Sequence, residues 1–165
     1  LPEVRLAPAQ SGGPASIGEA RIAELRRQTQ CTLEEVGGPD LYDAVPLEPG
    51  KTLVLLACGS GAYNVTYVPY IAEGEGAQLR LTRAQFDAQW ATDELGRPSL
   101  TNAEWDADRR LLSEFPRGRG LGDCGTKASY GWDGRRFRLV EQQAMDQCQG
   151  AVDFITTWRA RVVRP

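Results

Sequence analysis

The sequence predicts an α+β domain: a strongly twisted antiparallel sheet with two or three helices packed on it, held by two disulfides. Three observations lead to this fold class. The chain has 165 residues, 41% hydrophobic and 25% charged, which is the size and composition of one globular domain. Short apolar or alternating runs separated by Gly and Pro are typical of strands. Helical periodicity and capping boxes occur between some of these runs.

The first thirty residues divide into a predicted linker and a predicted helix. Residues 1–15 carry three prolines and two adjacent glycines without a helical period, which is typical of a linker or tether. Ser16 then forms a capping box with Glu19, and an apolar stripe follows to about residue 30. The domain is therefore predicted to span residues 16–165.

The middle of the chain predicts one buried strand and a hairpin. Residues 52–58 are a continuous apolar run that follows a turn at Pro46, Pro49 and Gly50, as in a buried strand. Residues 62–72 are rich in tyrosine and β-branched side chains, and residues 77–81 predict the returning strand after a turn at 73–76.

Two more capping boxes predict further helix starts. One pairs Thr82 with Gln85, and places Phe86 and Trp90 one helical turn apart on the same face. The other, a shorter candidate, pairs Thr101 with Glu104.

The last third of the chain again predicts strands. Residues 109–115 alternate weakly between apolar and polar side chains, which predicts a strand. Residues 128–132 and 135–141 flank Asp133–Gly134, a pair typical of a type I′ hairpin turn. Residues 154–163 form the final predicted strand.

A short similarity between the two halves suggests an internal duplication. Cys58 and Cys124 are each followed by glycine, and each then precedes an alanine and a tyrosine before a predicted hairpin. A duplicated helix-plus-hairpin unit, with repeats at 16–92 and 101–165, is one arrangement that this pattern allows.

Four cysteines without any histidine favour two disulfides over a metal site. Three pairings are possible, and the local one, Cys31 with Cys58 and Cys124 with Cys148, closes loops of 27 and 24 residues. Each such bond stabilises the fold by about 3.5 kcal/mol in the chain-entropy model. Disulfides imply an oxidising compartment, so the protein is predicted to be periplasmic or secreted. Four buried free thiols in a cytosolic protein are the alternative.

Composition also excludes several function classes. The net charge of −3 does not suit nucleic-acid binding, and no apolar run approaches the length of a membrane span. The absence of histidine removes Ser-His-Asp and Cys-His nucleophile systems. The glycines at 120, 122 and 125 match a dinucleotide-binding pattern, but a hairpin is predicted after them instead of the required helix. No cofactor is therefore predicted.

Several motifs together resemble a known family. They are residues 53–55 leading to Cys58, Gly61–Asn64, Gly118–Gly125, Trp132–Gly134 with Phe137, Met145 with Cys148 and Gly150, and Trp158–Ala160. From about Cys31 onwards the chain resembles the domain-of-unknown-function family eleven seventy-six of exported proteobacterial proteins. The resemblance implies a C-terminal portion of a longer exported protein, and it implies no activity.

The sequence favours a non-catalytic binding module of the cell envelope, acting through two loops at residues 60–64 and 117–123. Glycine-rich loops beside disulfides are rigid and exposed. Arg117 and Arg119 flank backbone N–H groups that could hold an anion, and tyrosine is common at binding hot spots. The candidate binding residues are Ser60, Tyr63, Asn64, Arg117, Arg119, Asp123 and Lys127. The predicted partner is an envelope protein.

Two alternatives come from other classes. Residues 59–63 are similar to a loop of the periplasmic inhibitors of chicken-type lysozyme, which implies that Ser60 and Lys127 enter the cleft of that enzyme. A carboxylate-dependent hydrolase of envelope glycans would need two convergent acids. The candidate acids are Asp106, Asp123, Asp133 and Glu141.

Overall fold

A computed structural model describes residues 1–33, 41–87, 92 and 96–165. These residues form twelve β-strands and one α-helix, α1 (Glu19–Thr29). The fold is therefore mostly β, and the predicted α+β class with two or three helices is wrong.

Sheet I contains most of the first half of the chain. Its strands are β2 (Tyr42–Glu48), β3 (Lys51–Ser60), β4 (Val65–Glu73), β5 (Arg80–Arg83) and β6 (Leu100–Thr101). The antiparallel order is β2–β3–β4–β5, and β6 pairs with the other end of β4. A 3₁₀ turn at Gly76–Gln78 precedes β5.

Sheet II is also antiparallel and follows the order β11–β10–β9–β8–β7. Its strands are β7 (Glu104–Asp106), β8 (Leu111–Glu114), β9 (Gly125–Trp132), β10 (Phe137–Met145) and β11 (Ile155–Arg159). The predicted hairpin of β9 and β10 is confirmed. Its turn spans four residues, 133–136, because Trp132 pairs directly with Phe137, so it is not the two-residue type I′ turn.

The main core lies between the inner faces of the two sheets. Leu53 and Leu55 of sheet I pack in one cluster with Tyr130 and Phe137 of sheet II, all almost fully buried. Successive side chains of a strand point to opposite faces, so Val54, between Leu53 and Leu55 in β3, faces away from this core. The two sheets thus form a β-sandwich.

The helix covers the outer face of sheet I. Ile22 and Leu25 of α1 pack against Val54 and Leu56 of β3, which is why β3 is apolar on both faces. This helix was predicted. Its N-cap is Gly18, which makes no side-chain capping hydrogen bond, so the predicted capping box is not the signal that starts it.

A parallel pair of strands covers the outer face of sheet II. β1 (Glu3–Arg5) pairs with β12 (Arg161–Val163), and Val4 and Leu6 are buried against Leu111. The segment predicted as a linker, residues 1–15, therefore includes a strand and buried apolar side chains.

The predicted starts of the second and third helices lie in strands. Thr82 lies in β5, and Thr101 and Glu104 lie in β6 and β7. Phe86 packs in the sandwich core, where its ring stacks on Phe137 at 5.1 Å between centroids. Trp90 lies outside the described residues. Because residues 101–165 form strands without a helix, a duplicated helix-plus-hairpin unit is also wrong.

In the described part of the chain, no helix has the length and apolar composition needed to cross a membrane.

Candidate functional site

The two loops predicted to bind a partner meet at one end of the sandwich, which we call the loop end. The side-chain amide of Asn64 donates to the carbonyl of Arg117 and accepts from the backbone N–H of the same residue, both at 3.2 Å. Asn64 follows β3 and Arg117 follows β8, so this two-way contact joins the two sheets.

Asn102 completes this contact between the sheets, and it is not among the residues predicted from the sequence. Its side-chain amide donates to Asn64 at 2.7 Å and to the carbonyl of Phe115 at 2.9 Å, and its oxygen accepts from the backbone of Val65 at 2.9 Å. Its φ of 52° lies in the left-handed region, which asparagine tolerates better than most residues. This position between two short strands gave no recognisable sequence signal.

Tyr63 extends the contact to the glycine-rich loop. Its hydroxyl donates to the carbonyl of Gly118 at 3.0 Å, while 42% of the residue remains exposed. Within the loop, the backbone N–H of Gly118 donates to Cys124 and that of Gly122 to Arg119. These internal bonds, with the Asn64 contact, use several of the N–H groups that an anion would need.

Arg119 and Asp123 form an ion pair beneath the loop, in which the carboxylate is buried and the Arg119 side chain is 44% exposed. Two guanidinium nitrogens donate to the two Asp123 oxygens at 2.8 and 2.5 Å, and Asp123 is only 3% exposed. The carboxylate also accepts from the backbone N–H of Gly150 at 2.7 Å, and Arg119 donates to the carbonyl of Cys148. The pKa of Asp123 lies well below its usual range, chiefly because Arg119 donates hydrogen bonds to the ionised carboxylate. Burial acts in the opposite direction and is outweighed.

Both predicted disulfides are present. Cys124–Cys148 ties the glycine-rich loop to the segment after β10, and Cys31–Cys58 ties the end of α1 to β3. The Asp123 carboxylate lies within 4.8 Å of both sulfurs of the first bond. Those sulfurs are covalently joined, so they offer no thiolate to a metal.

Lys127 is held between two aromatic rings. Its Nζ lies 4.1 Å from the ring centroid of Phe154 and 4.9 Å from that of Phe115, and the two rings pack edge to face. Cation–π contacts of this kind give Lys127 a structural use. Ser60, by contrast, is exposed at the end of β3.

Large apolar side chains are exposed around these loops. Of the six exposed large hydrophobic residues in the described chain, four lie on segments linked at the loop end. They are Tyr63, Leu121, Val152 and Ile155, and we call them the apolar patch. Leu121 at the tip of the glycine-rich loop is 79% exposed.

A cavity of about 410 Å³ lies beside the glycine-rich loop, on the inner face of sheet II. Glu114, Ala128 and Gln142 are paired across β8, β9 and β10 and line one wall of it, and Thr126 lies next to them. Glu114 is only 3% exposed. We call this space the Glu114 cavity.

The four acids considered for hydrolysis each have a local partner. Asp123 binds Arg119, Glu141 binds Arg159, Asp133 accepts two backbone N–H groups of its own turn, and Asp106 accepts the N–H of Arg109.

Comparison with known proteins places the chain in a family. The profile of the family described as "Protein of unknown function (DUF1176)" matches residues 1–161. The chain belongs to this family. It is also 35% identical over 151 residues to the "Uncharacterized protein YpfG" of Escherichia coli (strain K12), covering 87% of this chain and 41% of that protein. The chain thus spans less than half the length of this family relative. No solved structure matches it.

The Asp123–Arg119 pair predicts a specific loss of stability in acid. A lowered folded-state pKa means that Asp123 stabilises the fold above the pKa of the unfolded chain, near 4, and that this contribution is lost as the pH falls below it. We therefore expect Asp123→Asn to flatten the fall in free energy of unfolding between about pH 5 and pH 2. Urea unfolding at several pH values measures this, and parallel curves for the two proteins would contradict it.

Proposed function

We propose that this chain is a non-catalytic binding module of an exported cell-envelope protein, and that it recognises a protein partner through the apolar patch. The observation that carries the proposal is the exposure of four large apolar side chains at the loop end, three on loops and one at the start of β11: Tyr63, Leu121, Val152 and Ile155. Exposed apolar surface that is concentrated in one region of a folded protein is typical of interaction sites.

The rigidity of the loops supports this role. A disulfide, the Arg119–Asp123 ion pair and the Asn64–Arg117 contact fix the loop end before any partner arrives. A preorganised surface loses little conformational entropy on binding, so more of the contact energy appears as affinity. The two disulfides also support a periplasmic or secreted location.

The decisive substitution is Leu121→Asp, tested by affinity capture from an oxidised envelope extract and mass spectrometry. Leu121 is exposed, so the variant should fold normally, while a charge in the patch should weaken partner capture about tenfold or more. Leu1→Asp is the matched control, because Leu1 is 88% exposed and lies outside the linked loops.

The proposal requires a protein that wild type and Leu1→Asp capture and Leu121→Asp does not. Capture of the same proteins by all three baits would contradict it. Chicken-type lysozyme is added to the extract as an internal test. Its retention, lost on Ser60→Ala and Lys127→Ala, would support the inhibitor alternative instead.

A further inference from the structure

The edge strand β11 leaves one side of sheet II open. β11 pairs with β10 on one side, and no strand of the described residues pairs with its other side. A strand in this position directs about half of its backbone N–H and C=O groups away from its neighbour, where they can pair with another extended chain. All five residues of β11 are exposed. The open side of β11 is therefore accessible to a partner.

The other strands at the ends of the two sheets carry features that hinder such pairing. β2 contains Pro46, β5 contains Arg80 and Arg83, and β7 contains Glu104 and Asp106. Proline and charged side chains on edge strands discourage pairing with another chain. β11 instead consists of isoleucine, two threonines, tryptophan and a terminal arginine, and the first four of these favour strands.

Two large apolar side chains share one face of β11. Trp158 pairs with Gln142 of β10. Ile155 pairs with Ala144 of the same strand, and an extra residue of β11 between the two pairs keeps both side chains on one face. Gln142 also pairs with Ala128, which packs in the main core, so this is the inner face of sheet II. Because Ile155 is 67% exposed and Trp158 is 36% exposed, the inner face continues beyond the core as exposed apolar surface.

The one charged residue of β11 already has a partner. Arg159 donates to one carboxylate oxygen of Glu141 in β10, at 2.8 and 3.0 Å. An incoming strand would therefore meet backbone groups and two apolar side chains, without a charge that calls for an opposite one. Alternate side chains of a strand share a face, so apolar residues at every second position of that strand would pack beside Ile155 and Trp158.

We propose that the open side of β11 binds an extended, uncharged segment of a partner polypeptide, which adds to sheet II as a further strand and carries apolar side chains at alternate positions. The proposal rests on the proposed function in taking the partner to be a protein, and it adds the form in which that partner binds. Ile155 belongs to both surfaces, so the added strand would lie next to the apolar patch.

The probe is a blocked seven-residue peptide of alternating threonine and valine, N-methylated at every threonine. Only the edge that carries the valine N–H groups can then pair, so the peptide cannot stack on itself. Titrated into the ¹⁵N-labelled chain at up to about 5 mM, it should shift the amide NMR signals of β11. The same peptide N-methylated at every residue should shift none of them. No shift with the first peptide, or equal shifts with both, would overturn the proposal.

A matched pair of variants locates the effect at this edge. Ile155→Lys places a charge beside the incoming strand and should weaken peptide binding about fivefold. Ile155 is mostly exposed, so this variant should fold normally. Ala20→Lys adds the same charge at an exposed position of α1 and should bind the peptide as wild type does. Equal affinities of the two variants would contradict the site.

A second copy of the chain is the other occupant that this edge would accept. Without peptide, the wild-type chain should sediment as a monomer at the concentration of the NMR sample. A dimer that dissociates on Ile155→Lys would overturn the proposed occupant, because β11 would then pair with β11 of another copy.

The peptide titration and the capture experiment fail separately. Capture that Leu121→Asp abolishes, without peptide binding at β11, would support the apolar patch and contradict the added strand. Peptide binding at β11, with the same proteins captured by wild type, Leu1→Asp and Leu121→Asp, would support the added strand and contradict the apolar patch.

Discussion

Gly125→Ala is expected to lower the free energy of unfolding by about 3 kcal/mol or more. Gly125 has a φ of +124°, a conformation that other residues rarely adopt, and an added Cβ would lie 2.2 Å from the carbonyl oxygen of Pro116. The backbone segments at Pro116 and Gly125 would have to move apart. Arg117 pairs with Gly125 at this point, so the loop end should deform as well. Urea unfolding gives the stability difference.

The same loop offers a matched control in Gly120. An added Cβ there would meet only the ring of Tyr63, at an ordinary contact distance of 3.9 Å. We therefore expect Gly120→Ala to change stability by no more than about 0.5 kcal/mol. Similar losses of stability in Gly125→Ala and Gly120→Ala would contradict the idea that the nearby Pro116 carbonyl requires glycine at position 125.

Removal of the Cys124–Cys148 disulfide, by the paired changes Cys124→Ala and Cys148→Ala, is expected to cost about 3.5 kcal/mol. The bond closes a 24-residue loop and holds the glycine-rich loop against the segment that contains Gly150. Without it, amide hydrogen exchange should accelerate at Gly118, Gly122 and Gly150, whose N–H groups make the bonds within this region.

The other disulfide separates the local effect from the global one. The paired changes Cys31→Ala and Cys58→Ala open a loop of 27 residues, so the predicted loss of stability is nearly the same. That bond joins α1 to sheet I, and its loss should leave exchange at the three glycines close to wild type under native conditions. Equal acceleration in both proteins would contradict a local role for Cys124–Cys148.

Much of the strand content could be predicted from local sequence, but what packs against each strand could not. The apolar run at 52–58 indicates a buried strand. It does not say that a helix covers one face and a second sheet the other. That information lies in residues far along the chain, such as Tyr130 and Phe137, which reach Leu53 only in the folded sandwich.

The false helices show how tertiary pairing overrides a local signal. Thr82 and Gln85 have the spacing of a capping box, yet Leu81 and Thr82 pair with β4 and extend sheet I. This pairing satisfies backbone hydrogen bonds and partly buries Leu81 in the cluster between α1 and sheet I. A short isolated helix is only marginally stable, so it could not offset the loss of these interactions.

The two disulfides were predicted better than the fold, because the spacing of cysteines along the chain is a local feature. Asn102 and Glu114 were missed for different reasons. Asn102 acts through contacts that depend on both sheets. Glu114, however, lies two residues after Leu112 in β8, so the two side chains share the face that points to the core. An acid at an inward position of a predicted strand is a signal that could have been used.

The pairing of β1 with β12 has a mechanical consequence. The two strands are parallel, and their register runs from Glu3 with Arg161 to Arg5 with Val163. Residue 1 therefore precedes β1 at one end of the pair, and residue 165 follows β12 at the opposite end. Tension between residues 1 and 165 would therefore slide one strand along the other, loading their hydrogen bonds together. Hydrogen bonds loaded together in shear resist as a group, so the β1–β12 pair must separate before the force acts on the sandwich.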